Sequence, residues 1–535
     1  MTQPNVSSPL STASSGNHAP EPQSLMALFG GLSRAMKGLV LAFIALKVLL
    51  IASVPLTGDE AYFIVWGQSL ALGYYDHPPA VGWLLYFLSG LGDHLLVYRG
   101  FALIAAGVIS YLLYKIVRLH AAIPQTTAFY VALAFFVSPI SLMFIVTAND
   151  TVLVFFSVLG FYFYAKTLAQ PTLFSAVLAG LFLGMAFLSK YFAVFMLIGL
   201  FIYSFVYYRQ YAWRWMGLMV AIVLLFVAEN LYFNATHCWN NILFNFFSRT
   251  TESAFELGNV VGYVLMILAL VSPLGVYYLF KLRVIFSLGD SIKPLAPVLK
   301  QVLFATLPLL LVLLLVSTTN PVGLHWPLLA VTLLYALYAL LSQTQLRTLF
   351  YFNVYSSLLI GVVIMGALIF VEDIISPSQK HHVAVYTQPE LVCKQLPKTT
   401  FFTLGYSSQS ALSYHCKNDD VHVFMSVSKF GREDDKKTDF KAMSGKDLTI
   451  FVTHSKEIPE VQRFFQQTEV KPLVINEETT YYLVEGQGFD YEQYRAEILT
   501  PVNQKFYTAP DWFPKLTDLF SSEPCDFKAR YGFVD

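Results

Sequence analysis

The sequence predicts a polytopic α-helical membrane protein with about eleven transmembrane helices and a C-terminal soluble α/β domain. Three observations lead there. Apolar stretches long enough to cross ~30 Å of hydrocarbon recur through the first two-thirds of the 535 residues. Only 13% of residues are charged and 56% are hydrophobic, whereas about 25% charged is usual for soluble chains. The charges lie mainly between apolar runs until residue 372 and are dense beyond it, which separates a membrane part from a soluble part.

In chain order, residues 1–24 are rich in Ser, Pro, Asn and Gln and are expected to be a disordered cytoplasmic tail. No basic start with a short apolar core precedes the first apolar run, so that run is expected to stay attached. Residues 25–371 form the membrane domain. Its spans are placed at 37–55, 98–118, 127–146, 151–168, 173–189, 191–208, 215–233, 259–280, 302–318, 324–342 and 350–371. With the N-terminus inside, the cytoplasmic ends carry Arg34, Lys37, Lys115, Arg118, Lys166, Arg209, Arg214, Lys281, Arg283, Lys293, Lys300 and Arg347. The other side keeps only Arg99, Lys190 and Arg249, a strong positive-inside bias. Lys47 falls within the first span and is expected to snorkel or to face a polar groove.

An odd number of spans places residues 372–535 outside as well. Apolar runs at 400–406, 421–427, 448–453, 470–475 and 480–484 read as strands, and 459–467 and 490–498 as helices. All four cysteines, Cys238, Cys393, Cys416 and Cys525, fall on the outer side, where a disulfide can persist. Three full pairings are open; Cys393–Cys416 is the favoured bridge.

The acids segregate to the outer face: Asp59, Glu60, Asp76, Asp93, Asp150, Glu252 and Glu256, with Glu229 near the outer end of its span. Acids contribute little to topology, so an outward polar site is the better cause. The stretch Pro55–Pro79 concentrates it, an outer loop (56–97) too polar and too broken by Gly and Pro to span. Its Tyr62, Phe63, Trp66, Tyr74 and Tyr75 are expected at the membrane–water interface. Asp59-Glu60 could be the first turn of a helix capped by Thr57 or Asp59; that explains tolerance of acids but not their gathering on one face. The functional reading is a general base or an electrostatic carboxylate. Asp76-His77 reads either as a turn before Pro78-Pro79 or as a metal or proton-handling pair. Asp150 occupies a short outer turn, as a cap or a site carboxylate. Lys190 either snorkels or meets a phosphate. His237, Arg249 and His325 complete the outer set. P-loop, G-x-G-x-x-G, HExxH and paired CxxC signatures are missing, which leaves a nucleotide cofactor without support. Balanced charge, 34 basic and 34 acidic residues, gives no field for nucleic acid.

These residues, in this order, resemble the polyprenyl-phosphate-dependent glycosyltransferases of the GT-C type, which include protein O-mannosyltransferases and bacterial lipid A aminoarabinose transferases. The resemblance runs from Leu39 to Trp326. It rests on Gly58-Asp59-Glu60-Ala61-Tyr62, Gly73-Tyr74-Tyr75-Asp76-His77-Pro78-Pro79, Thr147 to Asp150, Leu188-Ser189-Lys190-Tyr191, His237-Cys238-Trp239 and His325-Trp326-Pro327. The outer C-terminal domain looks like the bacterial branch. The sequence departs from the pattern with Ala148-Asn149 before the acid and with Cys238 after the His.

The resemblance implies a bacterial inner-membrane enzyme that moves a sugar from an undecaprenyl phosphate donor to lipid A, lipopolysaccharide, a related glycan or a protein, inverting the anomeric centre. It implies Asp59 and Asp150 as catalytic candidates and Lys190 at the donor phosphate; the neighbouring Glu60 joins the catalytic set, Tyr191 the phosphate set, and Arg249 is added at the phosphate from its location alone. Asp76 and His237 would hold a divalent metal ion, with His77 and His325 as neighbours. Two rivals make different demands. A transporter or flippase would show repeats and broken spans at matching places, and none is evident. A non-catalytic envelope protein makes no demand on Asp59 or Asp150.

Overall fold

The computed structural model describes residues 23–208, 213–248, 254–282, 297–509 and 525–533. The expected tail therefore lies outside the described residues, apart from Gln23 and Ser24. Each of the eleven apolar segments is helical, but they are not equal. Six are single helices long and apolar enough to cross a membrane: Arg34–Ser53, Leu95–Arg118, Asn149–Ala169, Trp213–Thr236, Pro297–Ser317 and Gln343–Ile369. Shorter apolar helices run Gln125–Phe136, Leu173–Ser189 and Ala193–Tyr207.

Two expected spans are broken, each at a proline, and a third tightens part-way. The segment 127–146 stops at Phe136 and resumes as Pro139–Leu142, where proline starts a new helix. The segment 259–280 is two helices, Leu257–Val271 and Pro273–Lys281, bent by 87°. Pro273 brings no N–H to continue the ladder, and Ser272 turns with φ 78°. Its Oγ donates to Asn353 Oδ1 at 2.8 Å, and Asn353 donates to the carbonyl of Ala134 at 2.9 Å, so the bend is tied to two neighbouring helices. The segment 324–342 begins as Leu328–Leu334 and tightens into a 3₁₀ turn, Tyr335–Leu340. Lys47 does not snorkel. It is fully buried and donates to the Ser141 carbonyl at 2.8 Å, tying the first span to the broken one.

The C-terminal domain is built on five strands: β1 (Phe401–Thr403), β2 (Val421–Val423), β3 (Leu448–Val452), β4 (Phe465–Asn476) and β5 (Thr479–Phe489). Their order is β2-β1-β3-β5-β4. The first three are parallel, with helix Tyr406–Cys416 crossing from β1 to β2, and β5 and β4 add an antiparallel hairpin. One face buries Phe402, Phe424, Phe440, Phe464, Phe489 and Tyr494, whose rings pack edge-on or tilted. Two disulfides form. Cys393–Cys416 closes the helix onto the segment before β1. Cys238–Cys525, 287 residues apart in sequence, ties the membrane domain to the end of the C-terminal domain.

Candidate active site

Most of the aromatic and acidic side chains of Pro55–Pro79 are packed inside the protein. Thr57 caps the helix Gly58–Trp66, its Oγ1 accepting from Glu60 N at 3.2 Å, so Asp59 and Glu60 fall in the first turn and complement its dipole. Trp66 then stacks on Tyr74 at 4.5 Å, and the Tyr74 hydroxyl donates to the Trp66 carbonyl at 2.9 Å. The expected interfacial aromatics are buried instead: Tyr62, Phe63, Trp66, Tyr74 and Tyr75 all pack inside the protein. Polar groups from elsewhere hold the turn. Asn241 donates to the Tyr74 carbonyl and Asn245 to the Asp76 carbonyl, both at 2.8 Å. Glu433 of the C-terminal domain accepts from Tyr75 N at 2.5 Å.

A cavity of about 680 Å³ opens beside this loop, where the membrane domain meets the C-terminal domain. Asp59, Glu60, Asp76, His77, Asp150, Lys190 and His325 line it. Tyr191 and His237 do not. Tyr191 donates to Asn230 Oδ1 at 2.8 Å, and the His237 ring stacks on Phe233 at 4.3 Å. Arg249 lies outside the described residues.

Two of the carboxylates are taken up by cations. Arg99 donates from Nε to Glu60 Oε1 at 2.8 Å and from Nη2 to Oε2 at 2.6 Å. Its remaining donors reach the carbonyls of Ile51, Val54 and Pro55, which close the end of the first span. Both side chains are buried. Glu60 therefore lines the cavity as the bidentate, buried partner of Arg99, an arrangement that suits a structural counter-ion. The same pairing removes Arg99 from the anion-binding candidates. Lys190 grips Asp150 through both oxygens, at 2.8 and 2.9 Å, and lies over the Phe192 ring at 5.0 Å. His325 Nε2 stands 3.8 Å from Asp150 Oδ2.

The other two carboxylates, Asp59 and Asp76, accept hydrogen bonds from neutral groups. Asp59 is exposed to the cavity and accepts from the Tyr406 hydroxyl at 3.0 Å. Asp76 is buried, with Gly431 N 3.4 Å from Oδ2. Burial, reinforced by the Glu433 carboxylate, pushes Asp76 up to about 8. Asp76 and His237, expected to share a metal, do not line the cavity together. Among the described residues no three His, Cys, Asp or Glu side chains gather as a structural or catalytic zinc site would need, and of the pair only Asp76 lines the cavity.

Sequence reasoning missed Tyr406 and Phe430, which the C-terminal domain contributes to the cavity wall. Tyr406 stands 347 residues from Asp59, and no local spacing signals that contact.

Against this geometry the comparisons can be read. Residues 76–233 match the family of dolichyl-phosphate-mannose-protein mannosyltransferases. Lipid A galacturonosyltransferase RgtD of Rhizobium johnstonii is 25% identical over 182 residues, 34% of this chain and 38% of that protein; the chain thus matches well under half of that relative's length. Two crystal structures of ArnT from Cupriavidus metallidurans share the fold. The form bound to undecaprenyl phosphate superposes with a TM-score of 0.60 and 13% identity, the apo form with 0.58 and 12%; each covers 84% of this chain and 98% of ArnT. The chain is a multi-pass membrane protein that shares the ArnT fold, and its residues 76–233 match the dolichyl-phosphate-mannose-protein mannosyltransferase family.

Proposed function

We propose that the protein is an integral membrane glycosyltransferase that moves a sugar from a polyprenyl phosphate, such as undecaprenyl phosphate, to lipid A, lipopolysaccharide or a related envelope acceptor. One observation carries this reading: a single cavity, at the junction with the C-terminal domain, holds the open carboxylate Asp59 beside the Asp150–Lys190 pair. The fold shared with undecaprenyl-phosphate-bound ArnT and the RgtD match support the donor and acceptor classes.

A polyprenyl-phosphate sugar carries its own leaving group. The acceptor oxygen attacks the anomeric carbon as the bond from that carbon to the phosphate oxygen breaks, which inverts the centre. Lys190 stabilises the departing phosphate by a charge-assisted hydrogen bond, with Asp150 holding the ammonium in place. Asp59 orients a hydroxyl acceptor and takes its proton; a phosphate acceptor, already anionic, needs only orientation. His77 and His325 line the same cavity without an assigned step.

The N-terminus is placed in the cytoplasm and the C-terminal domain in the periplasm of a bacterial inner membrane. The Lys/Arg bias and the two disulfides, which persist in an oxidising compartment, support that orientation. The family match favours a protein O-mannosyltransferase-like acceptor as the second reading. Mass spectrometry of envelope lipids from cells with and without the protein tests the choice. Loss of one sugar-sized increment from a lipid supports the first reading; an altered glycoprotein profile with unchanged lipids supports the second. No change in either overturns the transferase.

A further inference from the structure

Asp59 meets the C-terminal domain at a closely fitted junction. Tyr406 opens the helix Tyr406–Cys416, and its ring stands edge-on to Tyr62 with centroids 4.9 Å apart. Two glycines make the approach possible. A Cβ on Gly58, next to Asp59, would lie 2.8 Å from Ser407 Cβ. A Cβ on Gly431 would fall 1.9 Å from Tyr406 Cγ, and Gly431 sits at φ +69°, where glycine alone is unstrained. Gly431 thus floors the Tyr406 ring and fixes where its hydroxyl points. Burial and the Asp59 carboxylate push the Tyr406 phenol above its usual range, so it stays protonated and donates.

Attachment of the C-terminal domain does not depend on that hydrogen bond. Glu433 holds Tyr75 N, Lys417 pairs with Asp93 at 2.6 Å, and Cys238–Cys525 is covalent. The Tyr406–Asp59 contact is exposed to the cavity, where a hydrogen bond adds little stability but still orients the carboxylate.

We propose that Tyr406 is a positioning residue for sugar transfer, through which the C-terminal domain holds the Asp59 carboxylate at the acceptor. The inference rests on the transferase reading above. The test uses the full chain in lipid nanodiscs. Carbodiimide and an amine label Asp59, quantified by peptide mass spectrometry, and this needs no substrate. Tyr406→Phe is expected to raise the labelling rate about fivefold. Lys417→Ala, which breaks the separate contact of the C-terminal domain with Asp93, leaves it unchanged. In transfer assays Tyr406→Phe lowers kcat about fivefold with donor KM unchanged, and has no further effect in an Asp59→Asn background. Unchanged labelling, additive losses in the double variant, or full activity of Tyr406→Phe overturns the proposal. If the parent transfers no sugar, the transferase reading itself falls; if the parent transfers and Tyr406→Phe matches it, only this inference does.

Discussion

Replacing Glu60 separates structure from catalysis at the heart of this loop. In the native fold Arg99 is 0% exposed and Glu60 2% exposed, and two of the guanidinium contacts, at 2.6 and 2.8 Å, go to the carboxylate. Three more reach the carbonyls of Ile51, Val54 and Pro55. Glu60→Gln keeps the shape and one acceptor oxygen, but turns an amide toward the guanidinium and strands its charge. Breaking a buried pair from one side costs about 3–5 kcal/mol, and the retained oxygen puts this change near the lower end, ~3 kcal/mol. For a chain longer than 250 residues, at roughly 1–2 °C per kcal/mol, the midpoint of thermal unfolding in detergent falls by ~3–6 °C. The fall is the same at low and high salt, because a buried pair is not screened. Glu60→Gln with Arg99→Met removes both charges and restores most of the loss. A midpoint unchanged within 1 °C of the parent, or abolished transfer without loss of stability, would refute the structural assignment and return Glu60 to the chemistry.

Other outcomes follow from the same geometry. Lys190→Met lowers kcat/KM for the polyprenyl-phosphate donor about a hundredfold, with Lys190→Arg retaining part of it; equal kinetics for all three would remove Lys190 from the phosphate. Asp76, raised to about 8 in the fold, binds a proton between its unfolded range and pH 8 that the unfolded chain has released. Its contribution to stability is therefore full below pH 4 and declines as pH rises towards 8, then levels off. Thermal midpoints across pH 5–9 show this slope, and Asp76→Asn flattens it relative to the parent. Cys238→Ser releases a bridge across 287 residues, for which the chain-entropy relation sets an upper bound of ~5–6 kcal/mol. Limited proteolysis then cuts the C-terminal domain faster, whereas Lys417→Ala, which breaks an exposed pair, leaves the digest unchanged.

The spans were legible because lipid leaves a backbone no hydrogen-bond partner but itself, so apolar length translates directly into helix. Their breaks were not, because averaging hydropathy over a window hides a single Pro139 or Pro273. The five strands appeared near their expected places, since period-two patterning reflects one buried face of a sheet. Asp59, Asp76, Asp150 and Lys190 could be nominated because charges are costly in an apolar half and topology predicted from Lys and Arg put them on one side.

The sequence by itself thus determined that this is a multi-pass membrane protein with a C-terminal sheet domain, and which charged residues deserved suspicion. Only the tertiary structure decided what each charge does. Glu60 and Arg99 are 39 residues apart, Asp150 and Lys190 are 40, and Tyr406 lies 347 beyond Asp59. Such pairings arise where helices cross and domains dock, and no local pattern encodes them. The physical reason is that a carboxylate's role depends on its nearest partner. Arg99 makes Glu60 a staple, and Glu433 with burial lifts Asp76 toward neutrality. Asp59 remains open to the cavity, with the Tyr406 hydroxyl to orient it.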